Sequence, residues 1–315
     1  MNLYLAPLEG VTGYVFRMGI EKYFCGGIDK YFAPFIEPHT KKVMSKKELR
    51  ELDAGNNQGI YLVPQILTKS GEDFLRLEEY LSELGFKEVN LNLGCPSQTV
   101  VSKGKGAGFL KNPQALDDFL EEIFKYKKGK ISIKTRLGME NTKEFAELLE
   151  IYNKYPMEEL IIHPRLRIDY YKNSPDIESF FYAIEKTTNP LCYNGDIKSP
   201  KDYEELLHAI KSTPKGKEKV KALMLGRGMV ADPSLVRQIK GGETMSEEEL
   251  VSFLQWEEEE MKNYMSGDKP VLFHLKELWT YLQKTVKLDE KVYKKLLKSK
   301  TLREYHEILD GFILR

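Results

Sequence analysis

A chain of 315 residues with 41% hydrophobic and 30% charged side chains has the make-up of a folded globular protein, not of a disordered one. Lys+Arg and Asp+Glu both total 48, which excludes a wholesale polycation but leaves room for a local basic patch. No run approaches the roughly 18 apolar residues of a membrane span, and the first residues lack the basic start and apolar core of a signal peptide. Three well-separated cysteines (Cys25, Cys95 and Cys192) exclude a C-x-x-C metal or redox site and a fully paired disulfide framework. The expectation is a cytoplasmic protein with no membrane anchor, no metal and no obligate protein partner.

Short apolar or alternating runs occur at Leu3–Leu8, Lys30–Ile36, Ile60–Leu67, Glu88–Leu93, Ile131–Leu137, Leu160–His163, Leu191–Asn194 and Ala222–Gly226. Each is followed by a polar, helix-like stretch, and successive runs start about 30 residues apart, the length of one strand, one helix and two loops. Eight such units predict an α/β chain built as a (β/α)8 TIM barrel. A doubly wound sheet would instead show a phosphate-binding glycine turn after its first strand. Among the helices, Ser70–Gly85 carries an apolar stripe and a glycine stop, Pro113 opens the next, and Asp232-Pro233 sets up a short one after the eighth run.

Beyond Gly241-Gly242 no strand-like run remains. Ser246-x-x-Glu249 is a capping box, and breaks near Gly267–Pro270 and Leu288-Asp289 divide the rest into three or four helices. The expected organisation is a barrel over 1–242 and a small C-terminal all-α domain over 243–315. Residues 269–303 hold ten basic against three acidic side chains, a surplus of +7 over 35 residues. The surplus has two readings: a solvated helix face, or a phosphate-backbone surface with Trp279, Tyr281 and Tyr293 interleaved.

In a barrel the strand ends point into the active site, and here nearly every strand ends in polar residues. Pro7-Leu8-Glu9 follow the first, Gln65 ends the third, and Asn90, Asn92 and Cys95 come from the fourth. Lys134 and Arg136 come from the fifth, His163 and Arg165 from the sixth, Asn194-Gly195-Asp196 from the seventh and Gly226-Arg227-Gly228 from the eighth. Glycines after the last two strands admit close backbone N–H groups, and Arg227 can grip two phosphate oxygens. Lys134 would place a cation over the other end of the same ligand, and Gln65 can hydrogen-bond a pyrimidine edge. Gly94 and Pro96 aim the Cys95 thiol at the pocket. With an ordinary pKa of about 8.5 such a thiol is mostly protonated and can donate a proton. Cys25 and Cys192 read as structural. The Ser102–Gly108 segment fits neither a Rossmann nor a Walker context; it reads as a mobile loop with Lys103 and Lys105 near a phosphodiester.

The motifs Ala6-Pro7-Leu8-Glu9-Gly10, Asn90-Leu91-Asn92-Leu93-Gly94-Cys95-Pro96 and Lys134-Thr135-Arg136-Leu137-Gly138 closely resemble those of the tRNA-dihydrouridine synthases. His163-Pro164-Arg165, Asn194-Gly195-Asp196 and Gly226-Arg227-Gly228 continue the likeness, and His274-Leu275-Lys276 resembles that family's tRNA-facing helix. The resemblance implies FMN as bound cofactor, NADPH (or NADH) as reductant, and reduction of the C5–C6 bond of uridines in tRNA. Cys95 would protonate C5, and Asn92 would orient the uracil. Lys103, Arg136, Arg165 and Lys276 would contact the RNA. Pro7, Leu8, Glu9, Gln65, Lys134, His163, Asn194, Gly195, Asp196, Gly226 and Arg227 would hold FMN. Leu8 stands where methionine is common, Pro164 replaces a small residue, and Arg165–Ser174 departs from the family pattern. Two other readings share some of these features: a flavin barrel acting on a free pyrimidine or other small molecule, and an RNA-binding protein without redox work.

Overall fold

The computed structural model describes residues 1–24, 27–40 and 42–313, with side chains followed to Asp310. Cys25 therefore lies outside the described residues. Eight parallel strands form one closed barrel in chain order: β1 (Asn2–Leu5), β2 (Lys30–Ile36), β3 (Leu62–Ile66), β4 (Glu88–Leu93), β5 (Lys130–Arg136), β6 (Glu159–His163), β7 (Leu191–Tyr193) and β8 (Val220–Leu225). Every run expected as a strand is one, with ends shifted by no more than three residues, the largest shift being at the end of β1, which stops at Leu5 and not at Leu8. The helices are α1 (Tyr14–Phe24), α2 (Lys46–Leu52), α3 (Gly71–Glu83), α4 (Gln98–Val101), α5 (Pro113–Tyr126), α6 (Glu144–Tyr152), α7 (Ile177–Lys186) and α8 (Pro200–Ser212). They continue as α9 (Gly216–Lys219), α10 (Arg227–Ala231), α11 (Leu235–Ile239), α12 (Glu247–Tyr264), α13 (Asp268–Val286), α14 (Glu290–Lys298) and α15 (Leu302–Ile313). No helix among the described residues is long and apolar enough to cross a membrane.

Local signals account for the helix ends. Ser70 accepts a hydrogen bond from the Asp73 N–H to start α3, Asn112 does the same for α5 ahead of Pro113 at its first turn, and Ser246 and Glu249 complete the capping box of α12. After the eighth strand there are two short helices, not one, because Asp232 closes α10 and its carboxylate then caps Ser234 at the start of α11.

The chain forms two compact units. The first, residues 1–7, 28–196 and 204–225, holds all eight strands. Its barrel floor is polar. Lys30, Glu88 and Glu159 open β2, β4 and β6, the alternate-strand layering of such barrels. Lys30 pairs with Glu88 at 2.8 Å, and the Tyr4 hydroxyl donates to Glu159 Oε1 at 3.3 Å. In neither pair are the strands neighbours, so both contacts cross the lumen. One carboxylate oxygen on each of Glu88 and Glu159 is buried without a hydrogen bond from the described residues. Burial, with the nearby Glu88 charge adding to it against Lys30, pushes the Glu159 carboxyl up to about 7.

The folded chain therefore binds a proton at Glu159 that the unfolded chain has already lost above its ordinary pKa of 4.5. Stability contributed this way is present at low pH and is lost as pH rises towards 7. Glu159→Gln is expected to raise stability at pH 8 by about 3 kcal/mol, a shift of roughly 2.5 pKa units, and to change little at pH 4.5. Urea unfolding at the two pH values checks this; an equal effect at both would remove the carboxyl from the pH dependence.

The second unit, residues 8–27, 197–203 and 226–315, is helical. Phe16 and Phe24 of α1 meet Phe253 of α12 edge-on at 5.7 and 5.4 Å, and Trp256 Nε1 donates to the Val15 carbonyl. Gly19 is needed there, since a Cβ would come within 2.7 Å of the Phe253 ring. Val271, Leu272, Leu275, Leu278, Trp279 and Leu282 form the buried face of α13.

Candidate active site

The site begins with two asparagines two residues apart on β4, which the pleat places on one face. Asn90 Nδ2 donates to Ser132 Oγ on β5 at 2.9 Å, and Asn90 Oδ1 accepts from Gln65 Nε2 on β3 at 2.8 Å. Asn92 Nδ2 donates to Gln65 Oε1 at 2.7 Å, so one buried amide ladder ties three strands together. The other end of Asn92 fixes the reactive turn: its Oδ1 accepts from the backbone N–H groups of Gly94 (3.0 Å) and Cys95 (2.9 Å). From the opposite side the Ala107 N–H donates to the Cys95 carbonyl at 3.1 Å. Gly106, at φ +55°, lies so close that a Cβ would stand 2.9 Å from that same oxygen. The Cys95 backbone is thus clamped on both sides, by a side-chain amide and by a backbone N–H, while its side chain stays half-exposed.

Lys134 lies opposite Asn92 in the β4–β5 pairing. It is half-buried, and its ammonium makes no hydrogen bond or ion pair with the described residues. Burial, and after it the Arg136 charge, pulls its pKa down to about 8. A cation held in a desolvated place without a partner is costly, and such groups cluster where a ligand supplies the missing charge.

Arg136, two residues on, is committed within the chain. Its Nε donates to the Gly94 carbonyl at 2.8 Å and its Nη1 to the carbonyls of Leu166 (2.9 Å) and Tyr170 (3.0 Å). Arg165 is 1% exposed and grips Asp196 with two nitrogens at 3.1 and 2.9 Å. It also donates to His163 Nε2 at 3.3 Å. His163 Nδ1 then donates to the Asn194 carbonyl at 2.5 Å. Burial and the surrounding Lys134, Arg136 and Arg165 cations hold the imidazole pKa well below its ordinary value, so the ring is neutral. The Asn194 amide donates to the Met224 carbonyl at 2.8 Å, and a Cβ on Gly195 would overlap the Tyr193 hydroxyl at 2.0 Å. Cys192 is buried and its thiol pKa is raised by that burial, as a structural cysteine requires.

The first unit therefore brings together Gln65, Asn92, Cys95, Lys134, Arg136, His163, Arg165, Asn194, Gly195 and Asp196, with Pro7 following β1. Lys103 is exposed beyond α4, and its neighbour Lys105 is paired with Glu37 at 2.7 Å. Leu8, Glu9, Gly226, Arg227 and Lys276 belong to the second unit. There the Leu8 N–H donates to Thr12 Oγ1 at 2.7 Å, and a Cβ on Gly228 would overlap the Ile197 carbonyl at 2.1 Å. Lys276 Nζ donates to the Ser299 carbonyl.

One expectation for the basic stretch is corrected. Trp279 is not interleaved with surface lysines but fully buried, with its Nε1 donating to the Tyr305 hydroxyl at 2.9 Å. His274 is buried too, paired with Glu257 at 2.9 Å. Lys291, Lys294, Lys295 and Lys298 of α14 recur at helical spacing and are exposed. The polar strand ends alone do not reveal Ser132, Gln98, Tyr170 and Tyr171. The last two were signalled only by an aromatic doublet set between Arg167 and Lys172.

A model of the dihydrouridine synthase (Dus) family matches residues 4–310. A probable tRNA-dihydrouridine synthase of Helicobacter pylori is 28% identical over 291 residues, covering 89% of this chain and 82% of the relative. A tRNA-dihydrouridine(16) synthase of Pseudomonas syringae is 29% identical over 249 residues, covering 76% of this chain and 74% of its own. A probable tRNA-dihydrouridine synthase of Staphylococcus epidermidis is 26% identical and covers 99% of this chain and 93% of the relative. Among solved structures, the old yellow enzyme homologue of Zymomonas mobilis superposes with a TM-score of 0.53 at 10% identity, covering 78% and 90% of the two chains, a likeness of fold. With a family model spanning nearly its whole length and the motifs of that family at its strand ends, the chain belongs to the dihydrouridine synthases.

Proposed function

We propose that this chain reduces the C5–C6 double bond of uridines in tRNA to dihydrouridine, with FMN as resident cofactor and NADPH (or NADH) as reductant. Family membership supports the reaction, and the observation that carries the cofactor is the Lys134 ammonium, which has no acceptor among the described residues. That cation suits a ring system that gains negative charge on reduction. Pro7, Gln65, Lys134, His163, Asn194, Gly195 and Asp196 in the first unit are the proposed FMN contacts, with Leu8, Glu9, Gly226 and Arg227 as the others. Gln65 and His163 are held rigid by their own hydrogen bonds, so they present fixed edges to a planar ligand.

FMN, when bound, supplies a hydride to C6 of the uracil. Cys95 supplies the other half of the reduction: its Sγ–H gives a proton to C5, and the thiolate left behind regains a proton from solvent. Asn92 sets the position of that thiol through the two amides it holds, so its contribution is to orientation. Arg136 and Arg165, whose guanidinium groups are spent on backbone carbonyls, His163 and Asp196, shape the wall against which the RNA rests. Lys103, Lys276 and the exposed lysines of α14 are the proposed phosphate contacts, which position the RNA without reading its sequence.

Purified protein is expected to be yellow, to bleach on addition of NADPH and to form dihydrouridine in tRNA lacking it. A colourless protein that FMN does not reconstitute would overturn the reading. Turnover of free uracil at the rate seen with tRNA would favour the small-molecule alternative.

A further inference from the structure

The loop after β6 carries an exposed feature that the chemistry above leaves unused. Ile168, Tyr170 and Tyr171 are 47%, 36% and 49% exposed, the densest run of large exposed side chains in the first unit. Tyr170 is also one of two non-glycine residues among those described with positive φ, at +48°, a conformation that costs a tyrosine energy. The backbone is held there from below, since Arg136 Nη1 binds the carbonyls of both Leu166 and Tyr170. The result turns the Tyr170 ring out beside Arg167, whose guanidinium lies 5.1 Å from the ring centroid. Arg167 is steadied in turn by Gln98, at the start of α4, three residues beyond the Cys95 turn. Its Nε is buried and makes no hydrogen bond with the described residues. An exposed tyrosine ring beside a half-buried guanidinium, tied at one end to the Cys95 loop and at the other to Arg136, has the make-up of a base-stacking platform.

We infer that Tyr170 and Arg167 form a second nucleotide subsite, which stacks an unpaired base flanking the uridine to be reduced and so helps select the RNA loop that is modified. The inference rests on the proposed RNA substrate. The charge fits that occupant: the Arg167 guanidinium lies beside Tyr170 and the Arg136 guanidinium 5.3 Å from the Tyr171 ring centroid, while the acidic side chains Asp169 and Asp196 are engaged with Asn173 and Arg165 respectively. The strain at Tyr170 is what a surface loop would shed unless the ring's direction served something.

The test compares Tyr170→Gly, Tyr170→Phe and Arg167→Ala in the full chain, with KM and kcat measured on tRNA and on free uridine. Glycine suits the positive φ, so Tyr170→Gly is expected to fold at least as stably as the parent while raising KM for tRNA roughly 10-fold, the equivalent of one lost base stack. Tyr170→Phe restores the parent KM, Arg167→Ala raises it, and flavin reduction by NADPH is unchanged in all three. A 2-aminopurine placed beside the target uridine in a short RNA should be quenched by the parent and not by Tyr170→Gly. Unchanged KM and quenching in Tyr170→Gly would overturn the subsite. A parent protein that fails to modify tRNA at all would instead overturn the proposed function.

Discussion

Cys95→Ala is expected to lower dihydrouridine formation by roughly 100- to 10,000-fold, the range a positioned proton donor contributes, while NADPH still reduces the bound flavin at close to the parent rate. The split follows from where the thiol sits. Cys95 Sγ belongs to a half-exposed side chain on a turn whose own backbone is held by Asn92 Oδ1 on one side and the Ala107 N–H on the other. Truncation at Cβ leaves those contacts in place, so the fold and the cofactor contacts persist and only the proton is lost. Stopped-flow bleaching of the flavin and dihydrouridine counts in tRNA separate the two steps. Full dihydrouridine formation in the variant would remove the thiol from the chemistry.

Lys134→Met carries the second large effect and reaches the opposite half-reaction. The lysine is a desolvated cation with its pKa pulled down to about 8, so it is charged at pH 7 and loses its charge as pH climbs through 8. FMN affinity of the parent apoprotein is accordingly expected to fall as pH rises above 8. In Lys134→Met that pH dependence should vanish, and flavin reduction by NADPH should slow by roughly 100- to 1,000-fold, the loss seen when a donor to a developing anion is removed. Stability should move the other way. A lysine whose folded pKa lies below its unfolded value destabilises the fold at low pH and less so above about 8, so the methionine variant should melt higher at pH 7. A variant that binds FMN with the parent's pH profile would show that Lys134 faces some other charge.

Much of this arrangement is legible in the sequence alone. The eight strands could be found because each is a short apolar run bounded by polar helix-like sequence, and because the spacing repeats. The polar strand ends were legible for the same reason: residues such as Asn90 and Asn92, or Lys134 and Arg136, stand two apart and share a face of the pleat. Period alone does not say what lies across the lumen. The Tyr4–Glu159 contact between non-neighbouring strands depends on how the sheet closes, while the ladder from Gln65 through Asn90 to Ser132 and the grip of Arg165 on Asp196 depend on the register of neighbouring strands and the course of their loops. Arg136 and Arg165 look from sequence like RNA contacts because arginine at a barrel mouth suits phosphate. Their donors are taken by carbonyls and a carboxylate that come from loops 30 or so residues away. Trp279 misled for a related reason, since an aromatic within a lysine-rich helix faces either the core or the solvent, and only the packing of α13 decides which.

Arg136 also bears on how variants at this site should be read. A single guanidinium fastens the carbonyl before the reactive thiol, at Gly94, and two carbonyls in the segment that displays Tyr170. Shortening that side chain unfastens both at once, so the two loops would slacken together. Lost turnover in such a variant would report a broken brace rather than a missing handhold for RNA. Pressure from a docked nucleotide on the outer loop would travel by the same route to the sulfur.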